Sequence, residues 1–135
     1  MKSERARLKK KAWAAFSRYI RVRDAGIDGR CECVTCGVSL PWKEMQAGHF
    51  IDSRCNAVLF HEPIVYAQCP SCNVWKKGNK VAYTLFMLKK HTKEEIEKFC
   101  NLKHKVLKLD IEDLEEILDM YTQKAEYIMQ EKELT

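Results

Sequence analysis

Cys33-Val-Thr-Cys36 and Cys69-Pro-Ser-Cys72 are two C-x-x-C pairs, and they require two distant parts of this chain to meet. Two residues between cysteines form a tight turn from which both thiolates point at one ion. Two such knuckles complete a tetrahedral four-sulfur site of the kind that holds structural zinc. The alternative is two unrelated redox or surface pairs. Thirty-two residues separate the knuckles, so the insertion must build structure of its own. Zinc can supply on the order of 10 kcal/mol of folding free energy to a small domain. Cys31 reads as a bystander, because Cys33-x-x-Cys36 already has the knuckle spacing. Cys55 and Cys100 are isolated and read as buried small hydrophobes.

The setting fits a metal rather than disulfides. The N-terminus, MKSERARLKKKAW, has a basic start but no apolar core or small-residue cleavage site after it. No apolar run approaches the ~20 residues that cross a bilayer, so no membrane partner is expected. The expected compartment is a cytoplasm, where thiols stay reduced. Seven cysteines in such a chain of 135 residues point to metal binding.

Charge is polarised along the chain. Residues 1–30 carry a net +7 and residues 110–135 a net −7, within a total of +5. A polyanion on the basic parts is one reading of this asymmetry. Two solvated helix faces that attract each other is the other.

Leu8, Ala12, Phe16 and Ile20 recur every fourth residue, with Trp13 and Tyr19 beside them, and predict a helix over 3–23 capped by Ser3. Asp24–Gly29 reads as a turn. Residues 30–68 lack a helical period and predict a hairpin, with a strand Met45–Ile51 and a short strand or arm at Ile64–Ala67. A helix is expected from Cys72 to Lys77, ended by Gly78. A second runs over 80–91 with Val81, Leu85 and Leu88 on one side. Thr92 with Glu95 forms a capping box that opens a third, 93–104. Asp110 with Asp113 opens the last, 111–132.

Between the knuckles lies Gln46-Ala-Gly-His49-Phe50, and Asn73 follows the last cysteine directly. A phosphodiester is cut by an activated water, with a cation on the departing oxygen and positive charge on the phosphate. A histidine of near-neutral pKa suits the first task. An asparagine carbonyl suits Mg²⁺, which prefers hard oxygen ligands. Each residue also has a plain reading, His49 as a structural strand residue and Asn73 as a helix N-cap.

Taken together, these pieces resemble the HNH, or ββα-metal, nucleases, and most closely the phage NinG (Rap) family of recombination endonucleases. The matching residues are Cys33-Val-Thr-Cys36-Gly37, Leu40-Pro-Trp-Lys43, Gln46-Ala-Gly-His-Phe50, Ser53-Arg54, Phe60 with Glu62, Gln68-Cys-Pro-Ser-Cys-Asn73 and Gly78-Asn79. They span roughly residues 10–90. The resemblance implies an α+β, mostly helical protein: a zinc-stapled ββα-metal core with a basic N-terminal helix in residues 1–90 and a C-terminal helical extension in 91–135. It implies a metal-dependent endonuclease acting on branched DNA such as a Holliday junction or D-loop, with His49 as general base and Asn73 as the ligand of Mg²⁺ or Mn²⁺. The compartment would then be the cytoplasm of a bacterial host.

Supporting roles are expected around that pair. Arg54 can grip the phosphate by bidentate hydrogen bonds. Glu62 can hold a metal-bound water or orient His49. Arg18, Arg21, Lys76, Lys77, Asn79 and Lys80 are the residues expected to follow the DNA backbone. His61 is a second, weaker candidate beside the site. The chain departs from the family pattern at two places. Gly48 stands where many HNH nucleases carry an acid or a second histidine before the base. Ile64 stands where NinG-like sequences place an asparagine, for which Asn56 is the available substitute. A non-catalytic zinc module that binds DNA or protein is the competing function.

Ile111, Leu114, Leu118, Tyr121, Ala125 and Ile128 form a heptad-type seam on the last helix. Such a face needs a cover, either residues 5–20 of its own chain or a second copy. The expectation is a homodimer through this helix, as two-strand cutting at a junction would require.

Overall fold

The computed structural model describes residues 3–135. Ser3 accepts a hydrogen bond from the Ala6 amide and opens helix α1, Glu4–Asp24. Ala12, Phe16 and Ile20 are fully buried, so the every-fourth stripe is indeed the core face. Two small antiparallel hairpins follow. In the first, β1 (Arg30–Glu32) pairs with β2 (Ser39–Pro41). The first knuckle lies in the turn between them. There the Cys33 amide donates to the Val38 carbonyl at 2.8 Å, and Gly37 donates back to Cys33 at 2.9 Å.

The second hairpin carries the site. Strand β3 is Gln46–His49 and pairs with β4, Val65–Gln68, so that Gln46 faces Gln68 and His49 faces Val65. The expected strand is thus shorter, and its partner is the segment after Pro63. The connection holds a single helical turn, α2 (Asn56–Leu59), and a 3₁₀ turn, Glu62–Ile64. Cys69 follows β4 directly. A wide π-type turn, Ser71–Trp75, begins one residue before the expected start. The Gly78 amide donates to the Cys72 carbonyl at 2.8 Å, and Gly78 has φ +91°, a conformation glycine adopts without a Cβ penalty.

Helix α3 spans Lys80–Lys90, and α4 Lys93–Asn101 continues as a 3₁₀ turn to His104. Both anticipated capping boxes form, at Thr92/Glu95 and at Asp110/Asp113, the latter opening α5, Ile111–Glu131. The apolar side expected for α3 needs correction. Tyr83 and Met87 are buried, while Val81, Leu85 and Leu88 face out. The cause is Tyr83, whose hydroxyl donates to the Gly48 carbonyl at 2.6 Å and pulls the opposite face of α3 onto the hairpin.

Helix α5 runs back along α1 in the most extensive packing of the molecule. Leu114, Tyr121 and Ala125 are buried, and Phe16 meets Tyr121 edge to face at 4.8 Å. The seam expected to join two copies is therefore covered by the chain's own first helix. Among the described residues no ion pair joins α1 to α5 directly; the Lys124 ammonium of α5 lies over the Tyr19 ring of α1 at 4.6 Å. Lys132 closes the contact by donating to the carbonyls of Val22, Arg23 and Ala25, the orphan acceptors at the end of α1. No described helix is long and apolar enough to cross a membrane.

Candidate metal centre and adjoining cleft

The fold brings the sulfurs of Cys33, Cys36, Cys69 and Cys72 within 4.8 Å of one another. Zinc–sulfur bonds of about 2.3 Å in a tetrahedron place sulfurs about 3.8 Å apart, and Cys36 and Cys69 are separated by 3.8 Å. The backbone prepares the sulfurs for a cation. Burial pushes the Cys33 thiol up, but the Cys69 amide at 3.3 Å and the Thr35 hydroxyl at 3.4 Å outweigh it and bring it down to about 6. Burial and its neighbouring thiols push Cys69 up to about 12. A bound dication reverses that cost, because a coordinating thiol is deprotonated outright. The donor set and spacing fit a structural zinc ion.

Cys31 stands apart. It is buried, its sulfur faces the Arg21 carbonyl at 3.2 Å, and burial holds its thiol near 11. Cys55 and Cys100 are only half-buried, less enclosed than a core reading requires.

A cleft of about 710 Å³ opens beside the metal centre. His49, Asn73, Arg54, Arg21, Lys77 and Lys80 all line it. The His49 Nε2 lies 3.1 Å from the Leu59 carbonyl. A carbonyl only accepts, so Nε2 carries the proton and Nδ1 is the basic nitrogen. The ring stacks on Trp13 at 5.1 Å and 21°. Burial, with lesser contributions from Arg54 and Lys80, lowers the His49 pKa below 6.5 and keeps the imidazole neutral near pH 7. Asn73 Nδ2 donates to Gln46 Oε1 at 2.7 Å, which fixes the amide and leaves Oδ1 as its open acceptor. The Lys80 ammonium donates to the His49 and Phe50 carbonyls at 2.7 and 3.0 Å and clamps the end of β3.

Other expected residues lie elsewhere. Glu62 does not line the cleft. Its carboxylate accepts from Tyr19, Tyr121 and Lys124 at 2.9, 2.7 and 3.0 Å, joining α1 to α5. Those bonds satisfy the oxygens that orienting His49 would need. Asn79 donates to Cys72 Sγ at 3.6 Å and so supports the metal centre. Arg18 faces the end of α5, in a hollow with Glu126 and Glu133. Lys76 is exposed outside the cleft. His61 packs edge-on against Phe99. Asn56 ties α2 to the Leu107 carbonyl at 2.9 Å, away from the hairpin.

Packing explains both departures from the family pattern. At Gly48 an added Cβ would collide with Gln68 Oε1 and lie 2.8 Å from Gln68 Cβ. Ile64 is fully buried, and its carbonyl accepts from Phe50 at 2.8 Å to close the hairpin. Sequence reasoning left Trp13, Ser17 and Asp52 out of the site, although all three line the cleft. For α1 the signal was present: Trp13, Ser17 and Arg21 recur at helical spacing beside the core stripe.

These features define a small, mostly helical α+β protein with four cysteines positioned to bind a metal ion beside a basic cleft. Residues 1–131 match the family model described as Bacteriophage Lambda NinG protein, and the chain belongs to that family. It is 29% identical over 116 residues to Protein ninG of Escherichia phage lambda, covering 85% of this chain and 54% of that protein. Against Protein ninG of Salmonella phage P22 the identity is 32% over 82 residues, covering 60% of this chain and 38% of that protein. The chain thus spans about half the length of its lambda relative. No solved structure matches it.

Proposed function

We propose that the cleft is the active site of a metal-dependent endonuclease of the HNH, or ββα-metal, type, acting on branched DNA in phage recombination. The observation that carries this reading is the joint placement of His49 and Asn73 on the walls of one basic cleft beside the cysteine centre.

In this account His49 Nδ1 takes the proton of the attacking water, while Nε2 stays bonded to Leu59 and holds the ring. Gln46 turns the Asn73 amide so that its oxygen is offered to a cation. Asn73 would hold Mg²⁺ or Mn²⁺ there, and the ion would supply positive charge for the departing oxygen. Arg54, Arg21 and Lys77 line the walls along which a phosphate backbone would run. Zinc held by Cys33, Cys36, Cys69 and Cys72 would help keep the π-type turn, and hence Asn73, fixed against β3. The preference for branched DNA rests on the resemblance alone.

The test is cleavage of a four-way junction and a matched linear duplex with Mg²⁺ or Mn²⁺. Wild type should cut the junction in preference, and His49→Ala should lose about 10²–10⁴-fold in rate. Metal-independent binding by both proteins with cleavage by neither would leave a non-catalytic zinc module in its place.

A further inference from the structure

The His49 cleft does not end at its own walls. A second hollow of about 390 Å³ adjoins it, lined by Ala6, Lys9, Lys10, Trp13, Arg54 and Leu59. The two hollows share Trp13 and Arg54. The Arg54 guanidinium lies over the indole at 5.4 Å, and the His49 ring stacks on it at 5.1 Å. The partition between the hollows is therefore an aromatic plate topped by a cation.

Helix geometry builds the second hollow. Ala6, Lys9, Lys10 and Trp13 fall on one face of α1, at spacings of three and four residues. Ala6 leaves room, and the two lysines supply charge. Neither lysine forms an ion pair among the described residues. With Arg54 the hollow holds three cations and no acid, which suits a phosphate backbone. It contains neither His49 nor Asn73.

We propose that this second hollow seats the phosphate backbone of a second arm of the DNA, so that a branched substrate fills both hollows and a linear duplex only one. The inference rests on the nuclease reading and gives it a structural reason for choosing branches. Trp13 and Arg54 mark the point where the two arms part.

Equilibrium binding in the absence of added divalent cations tests it, with a four-way junction and a matched duplex over a range of salt. Lys9→Gln/Lys10→Gln should lower the salt slope for the junction by about two and leave the duplex slope unchanged. Lys11→Gln, on the same helix but outside the hollow, should change neither. The inference is overturned if the double variant keeps the wild-type junction slope, if it weakens duplex as much as junction, or if Lys11→Gln has the same effect. A wild type that cuts junctions while the double variant binds them normally overturns this inference alone. A wild type that binds neither DNA overturns the nuclease reading with it.

Discussion

Gly48 shows how one missing side chain fixes a site. Its carbonyl accepts from Tyr83, and the space a Cβ would fill belongs to Gln68. Gln68 is fully buried, donating to Thr35 and to the Gly78 carbonyl at 3.0 and 2.8 Å. It therefore links the first knuckle to the turn after the second. A methyl group at position 48 must displace it. Gly48→Ala should cost about 1–3 kcal/mol in denaturant unfolding, and an unchanged midpoint would show that Gln68 yields freely. His49 itself was legible from the sequence, through its place between the knuckles. Trp13 was legible only in part: its helical spacing with Ser17 and Arg21 marked a face of α1, but not which loop would meet that face.

The two knuckles join segments that local structure would leave apart. Val34 donates to the Ala67 carbonyl at 3.0 Å, so the first knuckle leans on β4, which leads straight into the second. The four sulfurs converge at this junction, so an ion held there would tie the first knuckle to the π-type turn. Metal analysis should find about one zinc per chain. Cys69→Ser should lose the zinc together with the cooperative unfolding transition; a folded, zinc-free wild type would contradict this. Elements governed by neighbours in sequence could be read in advance, as the two capping boxes and the α1 stripe were. Pairings set by distant contacts could not. The partner of β3 lies beyond a fifteen-residue connection, and the buried side of α3 was decided by one tyrosine reaching a carbonyl thirty-five residues away.

Across the whole molecule, α1 has two tasks. Its apolar stripe packs on α5, and its Trp13, Ser17 and Arg21 line the cleft. Glu62 reinforces the first task from the loop between β3 and β4, where it meets Tyr19 and Tyr121. Burial raises its pKa, but hydrogen bonds from Tyr121, Lys124 and Tyr19 outweigh this and hold it below 4.5. A depressed carboxylate stabilises the fold above its unfolded pKa, and that contribution disappears as pH falls through the folded value. Glu62→Gln should therefore melt below wild type near pH 7, with the gap closing below pH 4.5. A gap that does not vary with pH would mean the charge has no part in the contact. The C-terminal seam was visible in the sequence, but its cover was not, since a heptad pattern looks the same whether the partner is another copy or the chain's own first helix.

The proposed role of His49 is that of a neutral base, held by Leu59 and Trp13 in a cleft that zinc at the four cysteines would keep in shape. The direct measurement is the single-turnover rate of junction cleavage with Mg²⁺, followed from about pH 5 to about pH 8. Because the folded pKa of His49 lies below 6.5, the wild-type rate should be level near neutrality and fall only as pH drops through that lower value, where the imidazole gains its proton. His49→Ala should lose both the rate and this acid limb. Cleavage by His49→Ala at the wild-type rate, with the same pH profile, would contradict the account.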